Sequence, residues 1–241
     1  LGVWIRAGSR DERDEVAGIS HLMEHMLFKG TPGRSARQIA EAFDRTGGES
    51  NAVTAKEYTC YFSRCLVDDV PEITALLWDM VLTSTIDAAE FERERGVILE
   101  ELAMDQDDPT DVAFEHFVEH VLHGNPLSRP IGGTPEEITG VARQRVLEHW
   151  QEHYRPENLV VTAAGGLDHD RVVEEVLRAL GPRLFRLTHL AVLSPAADLP
   201  ALHREHIELT DAVARGDVAG FREMIEGHLH TGHDAYSVVS E

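Results

Sequence analysis

The chain has 241 residues, 42% of them hydrophobic and 27% charged, so it is long enough to bury one large core or two small ones. Its 43 acidic residues outnumber 22 Lys and Arg, giving a formal net charge of −21 that repels phosphate backbones. No apolar run approaches the roughly 20 residues that span a bilayer. We therefore expect neither nucleic acid nor a membrane as a partner.

Strands are predicted where β-branched and aromatic residues are bounded by glycine or polar turns. These segments are GVWIRAG (2–8), SNAVTA (50–55), EYTCYFSRCLV (57–67) and NLVVTAAGG (158–166). Helical patterns lie between them: a helix within 18–30, one from 36 that Ser35 can cap, and further helices over 71–84, 88–106, 111–124, 136–154 and 169–181. Strands and helices that do not strictly alternate favour an α+β fold, an antiparallel-rich sheet with helices packed on one side.

The character of the sequence changes after Gly181 and Pro182, because two helical runs follow and no strand signal does. We therefore predict a first domain over residues 1–181 and a short all-α tail over 182–241.

Cys60 and Cys65 lie in one predicted strand, which would hold their Cα atoms about 16 Å apart, too far for a disulfide. Reduced thiols in the core favour a cytoplasmic location.

The segment GISHLMEHMLFKG places ionisable residues within an apolar helix. At about 100° per residue, His21 and His25 lie about 40° apart on one face with Glu24 beside them. Two imidazoles so placed can hold one zinc ion, and a third protein ligand with one open position makes a catalytic site. A bound dication also makes the burial of these groups tolerable. The five-residue pattern alone is equally compatible with a chance arrangement on a helix.

The helix over 88–106 offers the third ligand. Its projection puts Glu94 and Glu101 on the face that carries Phe91, Val97 and Ile98, whereas Glu100 points about 100° away from Glu101. The same projection assigns three charged residues to a solvated face: Glu92, Arg93 and Arg95. Two acids on an apolar stripe indicate a metal or a buried ion pair.

These residues carry a resemblance to a known family. HLMEH followed 76 residues later by Glu101 resembles the inverted-motif zinc metallopeptidases, which include pitrilysin, insulin-degrading enzyme and the mitochondrial processing peptidase. Several flanking motifs stand in the family's order: RAGSRDE, AGISHLMEHMLFKGT, GGESNAVTAKEYTCYF, ERGVILEEL and HYRPENLVVTAAGGLDHD. The resemblance covers residues 1 to about 181 and implies half of the family's clam-shell fold.

The resemblance implies a zinc-dependent endopeptidase acting on peptides or unfolded polypeptides. His21, His25 and Glu101 would bind one Zn²⁺ per chain, and Glu24 would be the general base that activates zinc-bound water. Glu94 would be a supporting acid behind the site; its alternative interpretation is an ion pair with an arginine.

In the family, the strand that corresponds to GGESNAVTAKEYT lies at the sheet edge near zinc and binds extended peptide. Asn51, Ala52 and Thr54 would then border the substrate. An ordinary hairpin, with Thr and Asn at turn-prone positions, explains the same residues equally well. NPLSRPIGGTPEEI resembles a fixed loop and helix cap of the family, and we assign it no chemistry.

Family members pair two homologous domains, and this chain has one. A second-half domain from another polypeptide, or a homo-oligomer, would complete the site. The alternative function is a non-catalytic subunit that binds zinc and peptide or serves assembly, without the half needed for turnover.

The tail is similar to the C-terminal helices of the effector (FCD) domains of GntR-type regulators. There, histidines matching His206 and His228 belong to a metal site that earlier helices complete, and those helices are not found in this sequence. His203, His230 and His233 are interpreted as surface residues. A fusion near residue 182 would explain the tail. The acidic charge and the lack of a DNA-reading element do not favour transcription regulation.

Overall fold

The computed structural model describes residues 1–179 and the isolated positions 208, 215, 217, 220 and 224. The chain divides into two units, Leu1–Val176 and Leu177–Glu241, and the elements below belong to the first. His206 and His228 lie outside the described residues. The tail helices and the domain boundary at 182 therefore stay predictions.

Within residues 1–162, the first unit contains six strands and seven α-helices. In chain order they are β1 (Gly2–Ile5), α1 (Ile19–Leu27), β2 (Gly30–Thr31), β3 (Arg34–Ser35), α2 (Ala36–Arg45), β4 (Glu49–Thr54), β5 (Thr59–Arg64), α3 (Val70–Thr83), α4 (Ala88–Asp107), α5 (Pro109–Val121), α6 (Pro135–Gly140), α7 (Arg143–His153) and β6 (Leu159–Thr162). A helical segment covers 169–179. Among the described residues, no helix is both long and apolar enough to cross a bilayer.

The main sheet has the strand order β4-β5-β1-β6, and all its pairings are antiparallel. Tyr61 of β5 pairs with Val3 on one side and Ala52 on the other, and all three side chains are buried on the same face. On the opposite face, Val53 and Val160 are exposed. The predicted α+β fold, with helices on one side of an antiparallel sheet, is confirmed.

Helix α1 lies at the centre of the core. Leu22, Met23, Met26 and Leu27 are fully buried, and burial of each such side chain contributes roughly 1.5–3 kcal/mol. Helix α3 adds a second fully apolar surface with Ile73, Leu76, Leu77, Met80 and Val81. This packing fixes the rotation of α1 about its axis and thereby the direction in which its polar residues point.

Helix α2 begins where the sequence predicts. Ser35 is its N-cap, accepting a hydrogen bond from the Gln38 N–H at 3.3 Å, while the Gln38 side chain accepts from the Ser35 N–H at 2.9 Å. This reciprocal capping box satisfies two backbone donors that a helix N-terminus leaves free. The sequence did not predict the two-residue strands β2 and β3, which form a small hairpin just before this cap.

The segment EEITGVARQRVLEHWQEHY, predicted as one helix, forms two. Helix α6 ends at Gly140, and extended backbone at Val141 and Ala142 separates it from α7. The Arg95 side chain donates hydrogen bonds at 2.5–2.9 Å to three carbonyls at this break, those of Ile138, Thr139 and Val141. The placement of Arg95 on a solvated face was therefore wrong, because its guanidinium satisfies carbonyls at the end of a distant helix.

Both cysteines are free thiols; Cys60 is buried and Cys65 partly exposed. Burial raises the pKa of the Cys60 thiol to about 11, so this thiol stays protonated and unreactive at neutral pH.

Candidate metal centre

Three ligand-type atoms converge between α1 and α4. The Nε2 atoms of His21 and His25 lie 3.2 Å apart, and Oε2 of Glu101 lies 3.8 Å from the first and 3.5 Å from the second. Within the part of the chain that the structure describes, this is the one trio of His, Cys, Asp or Glu ligand atoms that lie within 4.8 Å of one another. The three predicted metal ligands are thus brought together, and their metal-binding role stays a prediction.

The dimensions of this triangle fit zinc. Zinc binds imidazole nitrogen and carboxylate oxygen at about 2.0–2.2 Å with tetrahedral angles, which separates neighbouring ligand atoms by about 3.3 Å. The three measured edges, 3.2, 3.5 and 3.8 Å, bracket that value. Two imidazole lone pairs that face each other at this distance repel unless a proton or a cation lies between them. The donor set and its spacing therefore suit a divalent metal that takes nitrogen and oxygen ligands.

Protonation favours the same interpretation. Burial, followed by the nearby His25, lowers the pKa of His21, so its ring is neutral at physiological pH, as a ligand must be. Among the described residues, Nδ1 of His21 has no hydrogen-bond partner. Nε2 of His21 therefore faces the other two ligand-type atoms, whereas Nδ1, on the opposite side of the ring, has no hydrogen-bond partner among the described residues to orient it.

Glu94 lies behind His25. Its Oε2 is 3.1 Å from His25 Nδ1, so that nitrogen carries the proton it donates and leaves Nε2 free to bind a metal. Its Oε1 is 2.8 Å from the Lys29 ammonium. Because the Glu94 side chain is only 7% exposed, this cation compensates a carboxylate that would otherwise be buried alone. The charge partner of Glu94 is thus a lysine and not the arginine of the alternative interpretation.

Glu24 is directed toward the sheet. Its Oε2 accepts a hydrogen bond from the Thr54 hydroxyl at the end of β4. Burial raises the pKa of Glu24, while this hydrogen bond and the charge of His25 oppose the rise. A carboxylate with a raised pKa, held beside a histidine, has the properties expected of a general base.

The site residues are less buried than the sequence predicted. His21, Glu24 and His25 are partly exposed, and the Glu101 side chain is 42% exposed. Val97, assigned to the buried face of α4, is 39% exposed. The site lies at the rim of the apolar face of α1, so its ligand groups keep contact with solvent, as a site with one open coordination position requires.

The start of α1 is fixed by a residue that the sequence analysis did not single out. The Glu12 carboxylate accepts hydrogen bonds from the backbone N–H groups of Gly18 and Ser20, both at 2.8 Å. Burial raises the pKa of Glu12 to about 7, although these donors and the charge of Arg129 oppose the rise. Gly18 has φ +82°, and a Cβ there would lie 2.4 Å from the Gly132 carbonyl oxygen, so only glycine fits.

Strand β4 presents a free edge beside the site, because β5 is its only partner among the described strands. The Ala55 N–H donates to Tyr58, and alternation along an antiparallel pair then turns the N–H groups of Ala52 and Thr54 toward the free edge. The Asn51 side chain accepts a hydrogen bond from the Ala52 N–H at 2.9 Å. Of the predicted substrate-binding residues, Thr54 therefore contacts Glu24, Ala52 offers an edge donor, and Asn51 covers that donor.

Sequence reasoning missed Lys29, Glu12 and the link between Thr54 and Glu24. Lys29 follows His25 by four residues, a spacing that puts it on the same side of the chain one turn later and could have identified it. Glu12 lies in the irregular RAGSRDE segment, where no periodicity indicates a direction.

Two imidazoles and a carboxylate from adjacent helices, with a second carboxylate beside them, are typical of a catalytic metal centre in a hydrolase. Residues 1–135 match the family model of insulinase, peptidase family M16. The chain belongs to this peptidase family. Residues 162–231 are similar to a second model, described as the FCD domain.

The family assignment agrees with individual comparisons. An uncharacterized zinc protease of Streptomyces coelicolor is 44% identical over 179 residues, which are 74% of this chain and 39% of the relative. A protease from Helicobacter pylori has the same fold, with a TM-score of 0.72 at 24% identity over 74% of this chain and 43% of that one. The chain thus spans about two fifths of the length of the Streptomyces coelicolor relative.

One similar structure is described as a peptidase M16 inactive domain, from Pseudomonas fluorescens. It has a TM-score of 0.68 and 18% identity over 75% of this chain and 44% of that chain. The fold alone therefore does not distinguish a catalytic half from a non-catalytic one.

Proposed function

We propose that this chain is the zinc-binding half of a metalloendopeptidase that hydrolyses peptide bonds in peptides or unfolded polypeptides. The observation that carries the proposal is the triangle of His21, His25 and Glu101 atoms, with edges of 3.2–3.8 Å. The zinc-protease names of the relatives support the choice of zinc, and we propose one ion per chain. Zinc, when bound, is a Lewis acid that acidifies water and polarises a carbonyl.

The protein side chains supply proton transfer and orientation. Glu24 accepts a proton from the attacking water and returns it to the leaving amine, and the Thr54 hydroxyl holds its carboxylate in position. Glu94 fixes the ring of His25 through Nδ1, and Lys29 holds Glu94. The contacts that orient Glu24 and His25 exist before substrate arrives, so the site is preorganised.

The free edge of β4 supports a mode of substrate binding. An extended peptide that pairs with this edge forms main-chain hydrogen bonds with Ala52 and Thr54, a mode that accepts many side chains. Because Thr54 contacts Glu24, a peptide paired along β4 passes the general base. The Asn51 side chain must release the Ala52 N–H for such pairing.

The decisive experiment compares zinc content and peptide cleavage in matched variants. Glu24→Gln should keep zinc and lose cleavage by roughly 10²–10⁴-fold, the contribution of a general base. Glu101→Gln should lose zinc, whereas Glu100→Gln, an exposed neighbour on α4, should behave like the wild type. Cleavage that survives Glu24→Gln excludes Glu24 as the base, and zinc retained in full by Glu101→Gln excludes the ligand assignment.

Binding at the β4 edge has its own test. Ala52→Pro removes an N–H that faces the free edge, where proline is tolerated. We expect a raised KM for a peptide substrate with unchanged zinc content; because the Ala52 side chain is buried, circular dichroism must first show that the variant is folded. An unchanged KM in a folded variant rules out pairing at this edge.

A second candidate function is a non-catalytic subunit that binds zinc and peptide. It is supported by the fold that the chain shares with a solved structure described as an M16 inactive domain. The two functions differ in one measurement: addition of a homologous second-half domain restores cleavage to a catalytic half and not to a non-catalytic one. Such a domain, or a second copy of this chain, is the partner we propose. We also propose a cytoplasmic location, supported by the free thiols and testable by cell fractionation.

A further inference from the structure

Helix α5 carries a second histidine cluster, separate from the candidate metal centre. The segment HFVEH at 116–120 repeats the spacing of HLMEH at 21–25, and His123 follows three residues later. None of these α5 side chains contributes to the core: His116 is 75% and Glu119 66% exposed, and His120 and His123 also lie at the surface. Packing therefore does not explain why this helix has three imidazoles on one side.

The spacing puts the three rings on one stripe. At about 100° per residue, His120 lies about 40° from His116 on the helix, and His123 follows in the turn just after the helix end. The stripe extends just past the end of α5 at Val121, where Leu122 still donates a helical hydrogen bond to Val118. As they stand, the ligand atoms of these three rings are not all within 4.8 Å of one another, so one metal ion over the last turns of α5 requires the rings to rotate toward it.

The surroundings are suitable for an ion. His116, Glu119, His120 and His123 line a surface cavity of about 420 Å³. Oε2 of Glu119 lies 3.6 Å from Nδ1 of His116, within ion-pair distance, and this contact turns Nε2 of His116 away from the carboxylate. A carboxylate behind an imidazole is the arrangement that orients metal-binding histidines in proteins.

We propose that His116, His120 and His123 form a second, surface site for a divalent transition metal, with Glu119 orienting His116. Three imidazole ligands select ions that accept nitrogen ligands, so Cu²⁺ binds most tightly, Zn²⁺ and Ni²⁺ less tightly, and Mg²⁺ and Ca²⁺ do not bind. The rings are exposed, so they gather around an ion by side-chain rotation alone.

The test measures bound Cu²⁺ by equilibrium dialysis of the full chain. His116→Ala/His120→Ala is expected to bind one equivalent less than the wild type. The variant should fold, because both rings are exposed and alanine is the best helix former. Asp111→Ala/Glu115→Ala, with the same spacing on the same helix, is the matched control and should keep the full amount of Cu²⁺.

The comparison is repeated in a His21→Ala/His25→Ala background that also carries His206→Ala and His228→Ala. One equivalent should remain there and disappear with the α5 substitution, whatever the outcome at the peptidase site. Its electron paramagnetic resonance spectrum should show hyperfine coupling to imidazole nitrogen. Glu119→Gln should weaken Cu²⁺ binding about tenfold. The proposal is overturned if His116→Ala/His120→Ala removes no Cu²⁺, or if the control variant removes as much.

Discussion

Glu12→Ala is the substitution that best tests how α1 is held. It leaves two buried backbone donors, the N–H groups of Gly18 and Ser20, without their acceptor. Each unsatisfied buried donor costs about 1–3 kcal/mol, so the loss of both lowers the free energy of unfolding by roughly 2–6 kcal/mol. Without Glu12, the segment from Gly18 to Ser20 is no longer held in place. Because this segment leads directly into His21, zinc affinity should fall together with the free energy of unfolding.

The pH dependence of this loss has a definite sign. The pKa of Glu12 rises from its ordinary 4.5 to about 7 in the folded protein, a difference that corresponds to about 3 kcal/mol. Between these values the folded state keeps a proton that the unfolded state releases, so the contribution of Glu12 to stability declines as pH rises and is constant above about 7. The difference between wild type and Glu12→Ala should therefore be larger near pH 4.5 than near pH 8, by about 3 kcal/mol.

The assay is urea unfolding followed by far-UV circular dichroism in the presence of EDTA, at several pH values. Other titrating groups cancel in the difference between the two proteins. Glu15→Ala, a nearby exposed acid, serves as the control and should change stability by less than about 0.5 kcal/mol at every pH. A cost for Glu12→Ala below about 1 kcal/mol, or one that does not vary with pH, would refute the reasoning.

Three further predictions concern single contacts. Thr54→Val removes the hydroxyl that donates to Glu24, so the pKa of Glu24 should rise further, the acidic limb of the kcat/KM profile should move to higher pH, and kcat/KM should fall roughly tenfold. Arg95→Met leaves three carbonyls without their donor and should cost about 2–3 kcal/mol in urea unfolding, whereas Arg93→Met, at an exposed position, should cost less than about 0.5 kcal/mol. Burial lowers the pKa of His149 to about 3, so the folded state loses up to about 5 kcal/mol of unfolding free energy as pH falls from about 6.5 to 3. His149→Gln should remove that part of the acid destabilisation. An acid unfolding transition that is unchanged in this variant contradicts the lowered pKa of His149.

The convergence of the ligand triangle could be predicted because each of its residues is on a helix. Helical periodicity fixes which side chains share a face, so His21 and His25 were expected side by side and Glu101, not Glu100, was expected toward them. The structure brings these three together. Helical periodicity predicts the face on which a side chain lies but not how far that side chain is buried, which explains why the exposed Val97 was placed with the buried Ile98.

Contacts that depend on tertiary structure could not be predicted. Arg95 looks like a surface residue because its binding partners are backbone carbonyls 43 to 46 positions away. Glu12 sits in an irregular segment whose carbonyls, those of Arg10 and Glu12, accept hydrogen bonds from the distant Arg129. In both cases a charged side chain serves the polar ends of a helix, and no residue pattern in the sequence encodes which end it will reach.

The open edge of β4 also affects how the isolated polypeptide behaves in solution. The unpaired edge of a strand is a template for another copy of the same chain, so concentrated protein can self-associate and aggregate through this edge. The net charge of −21 opposes this route by mutual repulsion between molecules. Because that repulsion is screened beyond about 10 Å at 0.1 M salt, dilute buffer protects the monomer and high ionic strength favours edge-to-edge pairing.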